Sequence, residues 1–371
     1  MTDVFLYGPL TDAALRETLF GREVATTPAD LPDHRLCALE DFPFVALITD
    51  PGTPAPGLLA QGLGPQDLER LAFYAGLPGH RQEILPVQAG SKTIPAQVWT
   101  REAAPEAPAA PWAADVWAAT WQPITLATLK DVMASYGQQP AARVQARWPM
   151  ALVRGASRLR AGMPPPATIR HAARPGDVQL AALRQPYANF FAVEEYDLSF
   201  RRFDDTPSPV VTRAVFLSGD AVTVLPYDPL RDRVLLVEQF RAGPYARGDS
   251  QPWQIEAIAG RIDPGETPEA AARREAEEEA GLHLGALLKV ADYYPSPGAK
   301  SEFLYSYVAL TDLPDGAAGI FGVEEETEDI RGHLIGFDRM MELIATGEIA
   351  NAPLILTALW LQRERPRLRQ G

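Results

Sequence analysis

One stretch of the chain constrains the fold more than any other. It is a loop bounded by two glycines, followed by a helix that ends at a third glycine. A tight loop from Gly260 to Gly265 precedes a helix that begins near Thr267 and ends at Gly281. Glycines permit such a strand-to-helix loop to approach a ligand closely. Three carboxylates at i, i+3 and i+4 project from one face of this helix: Glu275, Glu278 and Glu279. Like charges at this spacing repel one another, so a cation with oxygen ligands is their natural partner.

The overall charge supports a metal rather than a lysine cluster as that partner. The chain has 34 lysines and arginines against 48 aspartates and glutamates, a formal net charge of −14. Such a chain is repelled by bare nucleic acid and by anionic membrane surfaces, so we expect neither as a partner. A phosphorylated ligand would need divalent cations between its phosphates and these carboxylates. The alternative for the helix is an exposed acidic face with no ligand.

Proline-rich segments predict three regions. Residues 103–111 contain several prolines and no large apolar side chain, which predicts an extended spacer. Apolar residues at helical spacing follow from Leu126 to Tyr136, and a second proline cluster stands at 164–166. We therefore predict domains at 1–102 and 167–371, joined by a helical linker at 103–166. Together they make a multidomain chain of the α/β and α+β classes.

The third region opens with runs that have the apolar and β-branched composition of strands. They are separated by Gly-Asp and Asp-Pro turn signals, and helical periods come later. The predicted strands are 190–193, 210–216, 221–227 and 233–241.

The spacing of the glycine-bounded stretch resembles the Nudix box, Gly-x5-Glu-x7-Arg-Glu-U-x-Glu-Glu-x-Gly-U, where U is apolar. Here it runs from Gly260 to Leu282, and the one mild departure is the small Ala276 at the first U position. The resemblance covers about Tyr187 to Leu361 and implies an α/β/α sandwich with a mixed sheet. The alternative interpretation is a Nudix domain that keeps the box but has lost its activity.

Segments on either side of the box resemble the ADP-ribose pyrophosphatase branch of this family. They are Val237–Arg241, Pro252–Gly260, Ser296-Pro297-Gly298, the acidic stretch Glu324–Ile330 and Gly347–Ala352. The resemblance implies hydrolysis of ADP-ribose to AMP and ribose 5-phosphate, with Mg²⁺ as the cofactor and Mn²⁺ as a substitute. The alternatives are hydrolysis of another nucleoside diphosphate sugar and a sensor that binds ADP-ribose without turnover.

Roles in catalysis follow from the same resemblance. It implies a metal set made of the Ala259 carbonyl, the box carboxylates Glu275, Glu278 and Glu279, and Glu328 from the late acidic loop. Glu326 corresponds to the general base, and Glu275 and Glu279 belong to the catalytic set. Because Glu326 and Glu328 are two residues apart, pattern alone leaves their roles interchangeable. A solvated acidic turn is the structural alternative for this loop.

Substrate binding is implied for four further residues. Arg241 corresponds to an arginine that grips the phosphates, with a surface salt bridge as the alternative, and Glu256 belongs to the same group. Phe191 and Arg213 match positions that enclose the adenine in related dimers, although core packing is the ordinary role of a phenylalanine in a strand. The family's dimer implies a homodimer through the early strands of this domain. Glu266 is better interpreted as a structural residue that pairs with Arg274.

The first hundred residues resemble a different family. Tyr7-Gly8-Pro9-Leu10 ends an apolar strand and precedes a helix over 12–19, as in γ-glutamylcyclotransferase-like domains, which implies a small β-barrel/α domain. Ala75 stands before Gly76 where that family has its catalytic glutamate, and alanine cannot transfer a proton. We therefore expect a domain without catalysis, unless Glu69 or Glu83 substitutes.

A chain that joins these two kinds of domain resembles the architecture of TrgB-type tellurite-resistance proteins. A single cysteine, Cys37, and the absence of a basic-then-apolar start favour a cytoplasmic protein. No apolar run reaches the length of a membrane span.

Overall fold

The computed structural model describes residues 1–39, 42–75, 80–101, 110–162, 166–322 and 328–370. The chain divides into two compact units, Met1–Ala173 and Arg174–Gly371. Within the described residues, no helix is long and apolar enough to cross a membrane.

The first unit is built around a closed five-stranded barrel in the order β1-β5-β2-β6-β7, beside a β3–β4 hairpin. Its strands are β1 (Thr2–Tyr7), β2 (Thr26–Leu31), β3 (His34–Ala38), β4 (Val45–Thr49), β5 (Ala55–Leu63), β6 (His80–Ala89) and β7 (Lys92–Arg101). The antiparallel order is closed by a parallel contact between β1 and β7, at Val4 and Gln97. The predicted small barrel with helices is confirmed.

Six α-helices of this unit lie among the described residues, besides a 3₁₀ turn at Gly8–Thr11. They are α1 (Ala13–Phe20), α2 (Pro65–Ala75), α3 (Ala114–Thr120), α4 (Gln122–Ala134), α5 (Ala141–Gln145) and α6 (Trp148–Ala161). Asp12 caps α1 by accepting the N–H of Leu15 at 2.8 Å. Leu129 of α4 and Trp148 of α6 share one apolar cluster with Leu6 of the barrel. Helices α4 and α6 of the predicted linker therefore pack in the core of the first unit, whereas residues 103–109 of the predicted spacer lie outside the described residues.

The second unit begins with a small antiparallel sheet in the order β10-β9-β8. Its strands are β8 (Val178–Ala188), β9 (Ala192–Phe200) and β10 (Val211–Leu217). The prediction of a strand from residue 190 was wrong, since β9 begins at Ala192. Asn189 donates its N–H to the carbonyl of Phe191 at 2.7 Å, which closes a bend and breaks the strand pattern there.

A mixed eight-stranded sheet forms the centre of the second unit. Its strands are β11 (Ala221–Asp228), β12 (Arg233–Phe240), β13 (Trp253–Glu256), β14 (Ile258–Arg261), β15 (Leu287–Tyr293), β16 (Leu304–Leu310), β17 (Ile320–Phe321) and β18 (Ile330–Gly336). The order is β15-β16-β11-β12-β18-β17, with β13 beside β12 and β14 beside β11. Only the β11–β16 pair is parallel among these described pairings.

Helices cover both faces of this sheet: α8 (Pro268–Ala280) on one face, and α9 (Phe337–Thr346) and α10 (Ala352–Leu368) on the other. A further short helix, α7 (Ala242–Arg247), follows β12 and buries none of its residues. Side chains alternate along β12, so Leu235 and Val237 pack under α8, while Val234 and Leu236 pack under α9 and α10. The predicted α/β/α sandwich is confirmed.

Candidate active site

Helix α8 is fixed at both ends by the residues that the sequence places there. The Thr267 side chain accepts a hydrogen bond from the N–H of Ala270 at 3.1 Å, and Pro268 opens the first turn. Gly281 ends the helix in the left-handed conformation, with φ of 60°. Small buried alanines hold the helix against β11 and β14. The carboxylate face of α8 is therefore held in one orientation.

The three box carboxylates differ in their access to water. Glu279 is 2% exposed, while the side chains of Glu275 and Glu278 are 13% and 37% exposed. Burial raises the pKa of Glu275 to about 7; Arg274 opposes this rise, and Glu278 and Glu328 add to it. Burial likewise raises the pKa of Glu279 to about 8. Both buried carboxyls would ionise more readily beside a cation.

Arg274 ties the acidic helix to the loop before it. Its Nη1 atom donates to Glu275 at 2.8 Å and to Glu278 at 2.9 Å. Its Nε and Nη2 atoms each donate to Glu266 at 3.1 Å, and Nη2 also donates to the carbonyl of Arg261 at 2.9 Å. The predicted pair between Glu266 and Arg274 is therefore present, and it holds the loop in place.

The backbone before the loop lies directly against both buried carboxylates. A Cβ atom at Gly260 would stand 1.8 Å from Oε1 of Glu275, so only glycine leaves room for that carboxylate. The N–H of Ala259 donates to Glu279 at 3.1 Å. Adjacent residues of β14 thus contact the carboxylates of two residues on α8.

Arg241, at the end of β12, is held by a chain of side chains. Its Nε and Nη2 atoms contact one oxygen of Glu256 at 2.9 and 2.7 Å. The other oxygen of Glu256 accepts a hydrogen bond from Asn351 at 2.9 Å. Asn351 also caps α10, because its Oδ1 atom accepts the N–H of Leu354 at 3.0 Å. Arg241 lies close enough to Glu279 to oppose the rise of its pKa.

The late acidic loop is described only in part. Glu326 lies outside the described residues, which resume at Glu328. Glu328 is partly buried and raises the pKa of both Glu275 and Glu279, so it stands within their electrostatic range. The structure thus brings Glu328 to the box carboxylates.

The aromatic bend between β8 and β9 adjoins the box loop. The guanidinium of Arg261 stacks over the ring of Phe190 at 4.0 Å. Phe191, 37% exposed, packs on Phe216 with ring centroids 4.8 Å apart. Phe216 N–H in turn donates to the carbonyl of Ala299, at 2.8 Å, in the turn that contains Pro297. Phe191 is therefore a half-exposed turn residue and not a strand residue of the core.

Arg213 lies elsewhere on the same small sheet. It is an exposed residue of β10, and its Nη1 atom donates to the carbonyl of Thr212 at 3.0 Å. Its register partner on β9 is Tyr196.

The donor set fits Mg²⁺, which prefers oxygen ligands. Carboxylate oxygens of Glu275, Glu278 and Glu279 share a helix face, two of them are buried with raised pKa values, and Glu328 stands near. Among the described residues, no three such side chains already converge as a metal site. Arg274 bridges Glu275 and Glu278 in this arrangement.

Sequence reasoning assigned no role to Asn351 or to Arg261. An asparagine two residues before a proline is a typical helix-start signal, and it could have identified Asn351 as a cap. Its second bond, to Glu256, depends on residues 95 positions apart and has no sequence signal.

The family model for the NUDIX domain matches residues 217–356. The chain belongs to the Nudix family. It is 37% identical over 193 residues to the ADP-ribose pyrophosphatase of Escherichia coli strain K12, covering 52% of this chain and 91% of that protein. It is 34% identical over 197 residues to the ADP-ribose pyrophosphatase of Haemophilus influenzae, covering 53% and 90%. A GDP-mannose pyrophosphatase of Enterobacter sp. strain 638 is 35% identical over 151 residues, covering 40% and 77%.

Proposed function

We propose that the second unit hydrolyses the diphosphate of ADP-ribose to AMP and ribose 5-phosphate in a metal-dependent reaction. The observation that carries the proposal is the pair of buried carboxylates, Glu275 and Glu279, which lie against the Ala259–Gly260 backbone. Similarity to ADP-ribose pyrophosphatases over nine-tenths of their length favours this substrate.

In this proposal Mg²⁺ would be held by oxygens from β14, from α8 and from the late acidic loop. They are the carbonyl of Ala259 and the carboxylates of Glu275, Glu278, Glu279 and Glu328. When bound, the metal neutralises the diphosphate and activates water. The chain supplies the fixed helix face, and Arg274 positions Glu275 and Glu278 on it.

Other residues of the chain bind and orient the substrate. Glu256 holds Arg241 through Nε and Nη2, so the N–H groups of the third nitrogen, Nη1, can meet a phosphate oxygen. Glu326 takes the proton of the attacking water, and Glu328 is the alternative base. Burial keeps Glu275 and Glu279 away from bulk water, which strengthens their electrostatic contacts.

Adenine binding is proposed at the aromatic bend. Phe191 is half exposed beside the Pro297 turn, so its ring is open to stacking. Arg213 contributes from β10 of a second copy, which makes the site complete only in a homodimer. Sedimentation of the full chain should give twice the monomer mass, and Phe191→Ala should raise KM for ADP-ribose without changing that mass.

The decisive experiment is release of AMP and ribose 5-phosphate by the full chain, with Mg²⁺ and with chelator. ADP-ribose, GDP-mannose and ADP-glucose are assayed in parallel. Glu279→Gln should lower turnover at least about 1000-fold, whereas Glu277→Gln, an exposed neighbour on the same helix, should retain it. Turnover of GDP-mannose alone would change the substrate, and tight binding without turnover would make the protein a sensor.

For the first unit we propose a γ-glutamylcyclotransferase-like domain without that activity. Ala75 ends α2 where the resembling family has its glutamate. The two candidate substitutes are engaged elsewhere, since Glu69 accepts the Tyr136 hydroxyl at 3.1 Å and Glu83 accepts that of Thr100 at 3.0 Å. The full chain should release no 5-oxoproline from γ-glutamyl amines, and release would overturn this assignment.

Tellurite resistance, if the chain confers it, would follow from clearing a nucleotide metabolite. Cells that express Glu279→Gln should then be as sensitive as cells without the chain.

A further inference from the structure

Gln239 of β12 is a buried side chain with an unused donor. It is 7% exposed, and its Nε2 atom has no hydrogen-bond partner among the described residues. A buried donor without an acceptor destabilises the fold, so a native position of this kind requires an explanation. Another buried glutamine, Gln145, shows the usual arrangement. It is 6% exposed and donates to the carbonyls of Ala72 and Phe73 at 3.2 and 3.1 Å.

The register of β12 places Gln239 on the face that carries the box helix. Side chains alternate along a strand, and Leu235 and Val237 belong to the cluster under α8. Gln239 and Arg241 continue this series toward the end of the strand. Val237 is the register partner of Glu256 on β13. Glu256 accepts a hydrogen bond from Arg241. Gln239 thus stands between the apolar core under α8 and the arginine at the candidate site.

We infer that the carboxamide of Gln239 donates a hydrogen bond to the diphosphate of the bound substrate, beside Arg241. This inference rests on the proposed function, which brings a diphosphate to this face. Two residues of strand separate the two side chains by about 7 Å, a spacing at which both can reach oxygens of one diphosphate. The acceptor that Gln239 lacks is then supplied by the substrate.

The inference predicts opposite effects on activity and on stability. Gln239→Met keeps the length of the side chain and removes the donor. Its kcat/KM for ADP-ribose should fall about 10-fold or more, the loss expected for a hydrogen bond to a charged group. Its melting temperature without substrate should equal or exceed that of the wild type, because the orphaned donor is gone.

Gln145→Met is the matched control. It removes a donor that is already satisfied, so its melting temperature should fall while its kcat/KM stays within about twofold of the wild type. Gln239→Glu tests whether a negative charge at this position weakens substrate binding. Its carboxylate would repel the phosphates, so its kcat/KM should be lower than that of Gln239→Met.

Two results would overturn the inference: wild-type kcat/KM in Gln239→Met, or a drop in its melting temperature as large as that of Gln145→Met. If the wild type does not hydrolyse ADP-ribose, the proposed function fails by itself. Gln239 is then tested by calorimetric titration of ADP-ribose into the wild type and Gln239→Met with chelator present. Equal Kd values there would overturn the inference separately.

Discussion

The buried box carboxylates predict that the metal-free second unit loses stability as the pH rises. Glu275 and Glu279 have pKa values of about 7 and about 8, against an ordinary 4.5. Between pH 4.5 and these raised pKa values, the two carboxyls are protonated in the folded state and ionised in the unfolded chain. Stability from these groups is therefore complete below pH 4.5 and is lost as the pH rises through 7 and 8.

The magnitude follows from the size of the pKa change. Each unit of pKa corresponds to about 1.4 kcal/mol, so ionising Glu279 in the metal-free fold costs roughly 5 kcal/mol and Glu275 roughly 3 kcal/mol. Glu279→Gln removes the larger share, because an amide does not ionise and its oxygen still accepts the N–H of Ala259. In a unit of this size, about 5 kcal/mol shifts the melting temperature on the order of 10 °C.

The assay is calorimetric melting of the full chain in chelator at several pH values from 5.5 to 9. We expect the melting temperature of Glu279→Gln to exceed that of the wild type by a margin that grows from pH 5.5 to about 8 and stays constant above it. Glu277→Gln, which is exposed, should follow the wild type. Mg²⁺ should stabilise the wild type more at pH 9 than at pH 5.5, since protons compete for its ligands. Parallel pH profiles for wild type and Glu279→Gln would refute the reasoning.

Two further substitutions test the geometry of the site. Gly260→Ala places a Cβ against the Glu275 carboxylate and should displace it, so kcat should fall at least about 100-fold with little change in melting temperature. Gly336→Ala, where a Cβ meets nothing within 4 Å, is the control, and equal activity of both variants would contradict the argument. Asn351→Ser keeps a capping oxygen but loses the amide nitrogen that reaches Glu256, so KM should rise several-fold while the melting temperature changes by only about 2 °C. An unchanged KM would show that the bond to Glu256 does not position the site.

The parts of the site that sequence could predict are those set by helical geometry. Glu275, Glu278 and Glu279 share a face because the helix repeats every 3.6 residues, and Thr267 and Gly281 mark its ends. Both helix ends lie where the local pattern puts them.

The remaining contacts depend on how distant strands meet. The bond between Glu256 and Asn351 joins residues 95 positions apart, and the ring of Phe190 meets Arg261 only because of a bend that the strand pattern hid. Gln239 is one of three polar residues of β12, with Arg233 and Glu238, and the sequence does not set it apart from them. Its missing acceptor is a property of the packed fold, which periodicity does not encode.

The C-terminal helix α10 is held at its start by strand β13 and near its other end by the turn between β11 and β12. Asn351 joins its start to Glu256, and near its other end Arg365 and Arg369 donate to Asp232 at 2.8 and 2.9 Å. If Arg241 binds the substrate as proposed, docking of this helix and substrate binding are thermodynamically linked through Glu256. Such linkage is reciprocal. If docking of α10 increases substrate affinity by a given free energy, bound substrate stabilises α10 against local unfolding by the same free energy.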